Sequence, residues 1–171
     1  MLSKIVSLAL LIFLLAACDS ATDSPNTAVL EPVNVHELQI VTGQTIYVPA
    51  YSEIFTHNED QTVKLTVTLA IHNSDPNASI IIRYVNYYDT TGTLVRNYIE
   101  APVEVPPLAT AGFVVNEEDT SGGWGANFLV EWGAEMPVYE PVIEAVMIST
   151  NGSTGISMIS QGRVISQTTA E

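Results

Sequence analysis

A strict alternation of apolar and polar residues between Val63 and His72 constrains the fold of this chain more than any other feature. The apolar members are Val63, Leu65, Val67, Leu69 and Ile71. Because successive side chains of a strand point to opposite faces, this period of two predicts a strand over residues 63–72 with one face in a core. No segment beyond the first 17 residues keeps a helical period. We therefore expect an all-β protein.

Other segments rich in β-branched and aromatic residues predict the remaining strands. They cover residues 45–50, 80–88, 93–99, 109–116, 126–133, 142–149 and 155–165. Within 126–133, one predicted face carries Phe128, Val130 and Trp132, and the other carries Asn127, Leu129 and Glu131. Gly92, in the turn at residues 89–92, can adopt the positive φ of a hairpin. Such strands indicate a Greek-key β-sandwich of about seven to nine strands, immunoglobulin-like in architecture, with a small β-barrel as the alternative.

The first 17 residues have the three parts of an export signal. Lys4 supplies the positive charge, an apolar stretch follows from residue 5 to 16, and small residues precede Cys18. The apolar stretch is shorter than the roughly 20 residues that a membrane span needs. We predict a signal helix over residues 1–17 that is removed, a flexible tether over 18–42, one β domain over 43–166 and a tail over 167–171.

The segment Leu15-Ala16-Ala17-Cys18 resembles the lipobox of bacterial lipoproteins. This resemblance implies a diacylglycerol thioether on Cys18, cleavage before it, and fatty acylation (palmitate or similar) of the new N-terminus. Two or three acyl chains anchor a protein stably in a membrane. Asp19 is similar to the sorting residue of lipoproteins kept at the periplasmic face of the inner membrane in bacteria with two membranes. We expect no cofactor besides these lipids.

The charge of the chain limits its partners. It has 19 acidic and five basic residues, and Lys4 lies in the predicted signal peptide. Such a domain is repelled by nucleic-acid phosphates and by anionic lipid headgroups. We therefore expect no nucleic-acid partner, membrane contact through the lipid anchor, and an envelope protein as a partner.

The stretch from Glu117 to Gly125 is acidic and then rich in glycine. Its candidate binding residues are Glu117, Glu118, Asp119, Thr120, Ser121 and Trp124. Three interpretations stay open: a solvated loop with Trp124 packed down as a lid, a calcium or ligand site built from oxygen donors, and a loop that binds a partner. The acidic residues do not have the spacing of an EF-hand loop.

Catalytic motifs are not apparent, and we predict no catalytic and no metal-binding residues. There is no Gly-x-Ser-x-Gly, and His36, His57 and His72 do not have the spacing of a zinc site. A glycan hydrolase with two carboxylates stays open, because 19 acidic residues allow many pairs. Five aromatic residues could form a sugar platform, although core positions or cross-strand pairs are the favoured interpretation. They are Tyr84, Tyr87, Tyr88, Tyr98 and Trp132.

Several motifs together resemble a bacterial family of small exported proteins described only as domain of unknown function 3124. They are Gly43 to Ser52, Tyr87-Tyr88-Asp89 with Gly92, Asp119 to Phe128 (without Trp124), Glu140 to Met147, Gly155-Ile156-Ser157 and Gly162-Arg163. The resemblance spans about residues 43 to 165 and implies no activity. Trp124 departs from the family pattern, where a smaller or polar residue is expected.

These features favour a non-enzymatic binding or accessory module anchored in the bacterial cell envelope. The alternatives are a ligand or calcium-binding module that uses the acidic loop, and an envelope hydrolase that uses paired carboxylates.

Overall fold

The computed structural model describes residues 30–34, 38–150 and 155–169. Cys18, Asp19 and His36 lie outside these ranges. The strands are β1 (Glu31–Pro32), β2 (Thr42–Pro49), β3 (Glu53–Phe55), β4 (Thr62–Lys64), β5 (Thr66–His72), β6 (Ile80–Tyr88), β7 (Leu94–Asn97), β8 (Val103–Val105), β9 (Thr110–Val115), β10 (Asn127–Ala134), β11 (Val142–Ser149), β12 (Ile156–Gln161) and β13 (Arg163–Thr169). A short 3-10 turn spans Gly123–Gly125. Across the described ranges no helix combines the length and the apolar character that crossing a membrane requires.

Two antiparallel sheets pack face to face. The larger has the strand order β1-β8-β6-β10-β2-β13, with β7 also paired to β6, and the smaller has the order β12-β11-β5-β9. The strands β3 and β4 form a separate hairpin. No sheet in the described ranges closes on itself. The predicted all-β sandwich is therefore confirmed, and the barrel alternative is wrong.

The core lies between the inward faces of the two sheets. Phe128, Val130 and Trp132 are buried on β10, as the alternation of this strand predicts. From the smaller sheet, Val67, Leu69 and Ile71 of β5 are fully buried, as is Leu65 directly before this strand. The predicted division of these β10 side chains into two faces is confirmed, and the structure shows that the face with Phe128 is the inward one. The large buried residues are Trp132, Tyr87, Phe128, Leu65, Leu69, Ile71, Ile80, Ile82 and Met147.

Two predicted strands are each divided in the structure. The strand expected over residues 63–72 is interrupted at Leu65, whose backbone N–H donates to the Ser52 carbonyl at 2.8 Å. As a result β4 pairs with β3, whereas β5 joins the smaller sheet. The strand expected over 155–165 divides at Gly162, so that β12 lies in the smaller sheet and β13 in the larger. Alternation continues across the break at Leu65, and it therefore does not reveal that break.

β-structure begins before residue 43, where the sequence predicted the domain to start. Within the predicted tether, β1 pairs with β8, and the N–H of Val33 donates to the Pro102 carbonyl at 2.8 Å. At the other end β13 continues to Thr169, inside the predicted tail. Several of the thirteen strands have only two to four residues, which explains why the structure has more than the seven to nine expected.

Candidate functional site

Three connections meet at one end of the sandwich, which we call the loop end. They are the β3–β4 hairpin, the β6–β7 turn at residues 89–93, and the acidic, glycine-rich loop at residues 116–126. The turn is closed by Gly92 with φ +83°, as predicted. Thr90 in this turn joins it to the loop, because its N–H and hydroxyl donate to the Gly122 carbonyl at 2.9 and 3.0 Å. The same hydroxyl accepts from the N–H of Gly125 at 3.0 Å.

The glycine-rich loop is also bound from the opposite side, by the segment between β2 and β3. The N–H and the hydroxyl of Ser52 both donate to the Gly123 carbonyl, at 3.1 and 3.2 Å. Next to it, the N–H of Ala50 donates to the Ala126 carbonyl at 2.9 Å. Despite its glycines, the loop is therefore held in one conformation by hydrogen bonds from two neighbouring segments.

The acidic residues of the loop face basic side chains. Glu118 accepts from Lys64 at 2.6 Å, and Asp119 accepts from Arg96 at 2.7 Å. The hydrogen bond with Glu118 is the main reason that the pKa of Lys64 is raised. The hydrogen bond from the Ser121 hydroxyl, together with Arg96, lowers the pKa of Asp119. These carboxylates therefore already have cationic partners.

A calcium ion would need several of these oxygens to converge. In the described part of the chain, no three or more His, Cys, Asp or Glu side chains gather as a metal site. The Thr120 carbonyl accepts a hydrogen bond from the N–H of Gly123 at 3.0 Å, which closes a turn. The calcium interpretation of the loop stays a prediction, and the ion pairs of Glu118 and Asp119 would compete with it.

Trp124 is not packed down over the core. Its side chain is 51% exposed and contacts Phe55, which is 46% exposed, with the ring centroids 5.8 Å apart. Phe55 ends strand β3, so the hairpin and the loop each supply one ring of this aromatic pair. Phe55 could not be singled out from the sequence, because polar residues typical of a loop follow it directly.

The five aromatic residues considered as a sugar platform separate into two groups. Tyr87 and Trp132 are buried, and Tyr98 packs against the core with its ring 5.5 Å from that of Phe113. Tyr84 and Tyr88 lie on the outer face of β6, where both are partly exposed. Three of the five are therefore core residues, and the other two form cross-strand pairs, Tyr84 with Glu131 and Tyr88 with Asn127.

The hydroxyl of Tyr87 is buried directly below the glycine-rich loop. A Cβ added at Gly122 would lie 1.9 Å from this oxygen, which shows how tightly the loop covers it. Among the described residues it has no hydrogen-bond partner. Burial raises the pKa of Tyr87 to about 12, and the nearby Ser52 hydroxyl offsets this only in part.

Tyr87→Phe is expected to protect the protein against alkaline unfolding. In the wild type, the unfolded chain loses the phenolic proton near pH 10 and the folded chain only near pH 12, so stability falls over this window as pH rises. At pH 11, one unit above the pKa of the unfolded chain, the loss is about 1.4 kcal/mol, and the phenylalanine variant lacks it. Urea titrations at pH 8 and pH 11 measure the difference. A variant that loses as much stability as the wild type would contradict the assignment.

The other sequence candidates are dispersed. His57 is exposed at the tip of the β3–β4 hairpin, and Nδ1 of His72 lies 2.9 Å from the Thr110 hydroxyl. Glu104 and Glu135 line one cavity of about 290 Å³ at the opposite end of the sandwich. Glu135 also accepts from the N–H of Gln39 at 3.0 Å. The hydrolase alternative stays a prediction.

The architecture and the loop end define an all-β sandwich domain without a recognisable catalytic centre among its described residues. Residues 43–165 match the family "Protein of unknown function (DUF3124)", and the chain belongs to that family. No curated protein matches the chain. A crystal structure of Thermotoga maritima 1070 is similar, with 11% identity and a TM-score of 0.43 over 70% of this chain and 92% of that one.

Proposed function

We propose that the protein is a lipid-anchored accessory module of the bacterial envelope that binds a partner protein through its loop end. The observation that carries the binding part is the Phe55–Trp124 pair. Two large aromatic side chains touch each other while about half of each remains exposed. Exposed aromatic residues of this kind are frequent anchors of protein interfaces.

The rigidity of the loop strengthens this proposal. Thr90 and Ser52 hold the backbone on both sides of Trp124 by hydrogen bonds. The backbone of Trp124 is therefore already ordered before a partner binds, so binding costs little conformational entropy. The ion pairs of Lys64 with Glu118 and of Arg96 with Asp119 join the same loop to β4 and β7, and these charged groups would provide a polar rim.

The anchor is proposed from the lipobox-like residues 15–18. With a formal net charge of −14, the chain would not be held at an anionic membrane surface by its own charge. Acyl chains on Cys18 would supply that attachment, and Asp19 would direct the protein to the inner membrane where two membranes exist. The sandwich would then carry the loop end away from, or along, the membrane surface.

Photo-crosslinking in cells tests both parts of the proposal. A photoreactive phenylalanine analogue at position 124 of the full-length chain is expected to form a discrete adduct in the membrane fraction. The same analogue at Tyr139, which is 70% exposed at the opposite end, serves as the control and should give none. Cys18→Ser is expected to remove the protein from the membrane fraction, because it removes the thiol that carries the lipid.

The contribution of Trp124 to binding is measured as the change in affinity for the captured partner. Trp124→Ala should weaken it about tenfold or more, and Tyr139→Ala should leave it unchanged. If position 124 gave no adduct while the pure protein turned over an envelope substrate, the binding proposal would be wrong. If the serine variant stayed in the membrane fraction, the lipid anchor would be wrong.

A further inference from the structure

The outer face of the larger sheet carries a grid of nine side chains, three from each of its central strands β2, β10 and β6. Its rows are Thr45–Glu131–Tyr84, Tyr47–Leu129–Asn86 and Pro49–Asn127–Tyr88. All nine are partly exposed, while the alternate residues of these strands, such as Val48, Phe128 and Val85, are in the core. Strand spacing and rise give the grid dimensions of about 10 by 14 Å.

The grid combines aromatic rings with side-chain amides. Tyr47 and Tyr88 occupy its edges on either side of β10, and Tyr84 lies close to Tyr88 on the same strand. Within the described part of the chain, the amides of Asn86 and Asn127 form no hydrogen bond with the protein. Each of these amides can therefore donate two hydrogen bonds and accept further ones from a ligand.

The grid is close to electrical neutrality in a strongly acidic protein. Its one carboxylate, Glu131, forms an ion pair with Arg83. Arg163 borders the grid, since it pairs with Tyr47 across β13 and β2. A polyanion would be repelled by the net charge of −14, and the grid itself has no surplus acid to attract a cation.

We propose that this grid is a binding site for an extended, uncharged oligosaccharide. The C–H faces of sugar rings can pack on the tyrosine rings, and sugar hydroxyl or acetamido groups can hydrogen-bond the amides of Asn86 and Asn127. The outer face of three adjacent strands suits a chain that lies across them. The site lies on a sheet face and not on the loops, so it is separate from the surface proposed to bind a protein partner.

The test uses the full-length protein in detergent, titrated with chitohexaose and with cellohexaose and followed by NMR. We expect binding of at least one of them, and the comparison shows whether the acetamido group is required. Tyr47→Ala and Tyr88→Ala should each weaken binding about tenfold or more, because each removes one packing surface. Asn86→Ala removes a smaller side chain and tests whether the Asn86 amide contributes to oligosaccharide binding.

Matched controls separate this site from the loop end. Tyr139→Ala removes an exposed tyrosine elsewhere, and Trp124→Ala removes the proposed protein-binding indole; neither should alter oligosaccharide binding. Thermal melting of every variant establishes that it is folded. If the grid variants lose oligosaccharide binding but still form the crosslink at position 124, the grid binds oligosaccharide independently of the loop end.

Four results would overturn the proposal. The first is the absence of binding of either hexasaccharide, and the second is binding that Tyr47→Ala and Tyr88→Ala do not affect. The third is a stable dimer that Tyr47→Ala dissociates, because a second copy of the chain would then be the occupant of this face. Tighter binding of the polyanion polygalacturonate than of cellohexaose would likewise contradict an uncharged ligand.

Discussion

Gly43→Ala is expected to destabilise the protein by about 3 kcal/mol. Gly43 lies on β2 directly opposite Gly133 of β10 in the larger sheet. A Cβ at this position would lie 2.5 Å from the Trp132 carbonyl oxygen and 3.1 Å from the Gly133 Cα. Both are backbone atoms of a strand paired on both sides, so neither can move without disturbing its ladder. Urea unfolding of the full-length protein measures the change.

Gly112→Ala is the matched control, because it is also a glycine within a strand. Its added Cβ would meet only the Leu69 carbonyl oxygen, at 4.0 Å. Alanine has less conformational freedom than glycine in the unfolded chain, so we expect no loss of stability or a gain of about 0.5 kcal/mol. Equal losses in the two variants would show that the close approach at Gly43 is not the cause.

The sequence was sufficient to predict most strands and the faces of the central ones. The predicted ranges 80–88 and 142–149 coincide with β6 and β11. On β10 the alternation correctly placed Phe128 and Trp132 on one face and Leu129 on the other, and the structure shows that the first of these faces lies in the core. This succeeds because the period of two records burial, which depends on each residue and its immediate neighbours along the strand.

Pairing between strands could not be predicted in the same way. Whether β5 continues from β4 depends on the hydrogen bond between Leu65 and Ser52, and whether β12 and β13 share a sheet depends on the position of Gly162. Both are set by contacts between residues distant in sequence. A pattern of apolar residues does not contain this information, because either pairing buries the same side chains.

The same distinction applies to the candidate sites. Alternation along β6 already separates the inward Tyr87 from the outward Tyr84 and Tyr88. It could not show that β2 brings Tyr47 into the same outer grid, because that depends on the register of β2 with β10. Likewise the indole of Trp124 was visible in the sequence, but its contact with Phe55 requires the β3–β4 hairpin to fold against the loop.

Phe128→Ala is expected to cost about 4 kcal/mol, the usual range for removing a fully buried phenylalanine. The ring of Phe128 lies between the two sheets, with its centroid 4.8 Å from that of Tyr87 and 6.0 Å from that of Tyr98. These neighbours are fixed by β6 and by the segment after β7, so they cannot collapse fully into the space left by the ring. A domain of this size is usually stable by only about 5–15 kcal/mol, so the variant should melt at a much lower temperature.

Leu129→Ala is the sharpest control for that prediction, because it changes the next residue of the same strand on the opposite face. Leu129 is partly exposed in the centre of the outer grid, and truncating it leaves no closed cavity. We expect a loss of about 1 kcal/mol or less, measured in the same urea titration. If the two adjacent variants were equally destabilised, β10 would not have one face in the core and one at the surface. In that case both the sandwich packing and the outer grid on which the oligosaccharide site rests would be wrong.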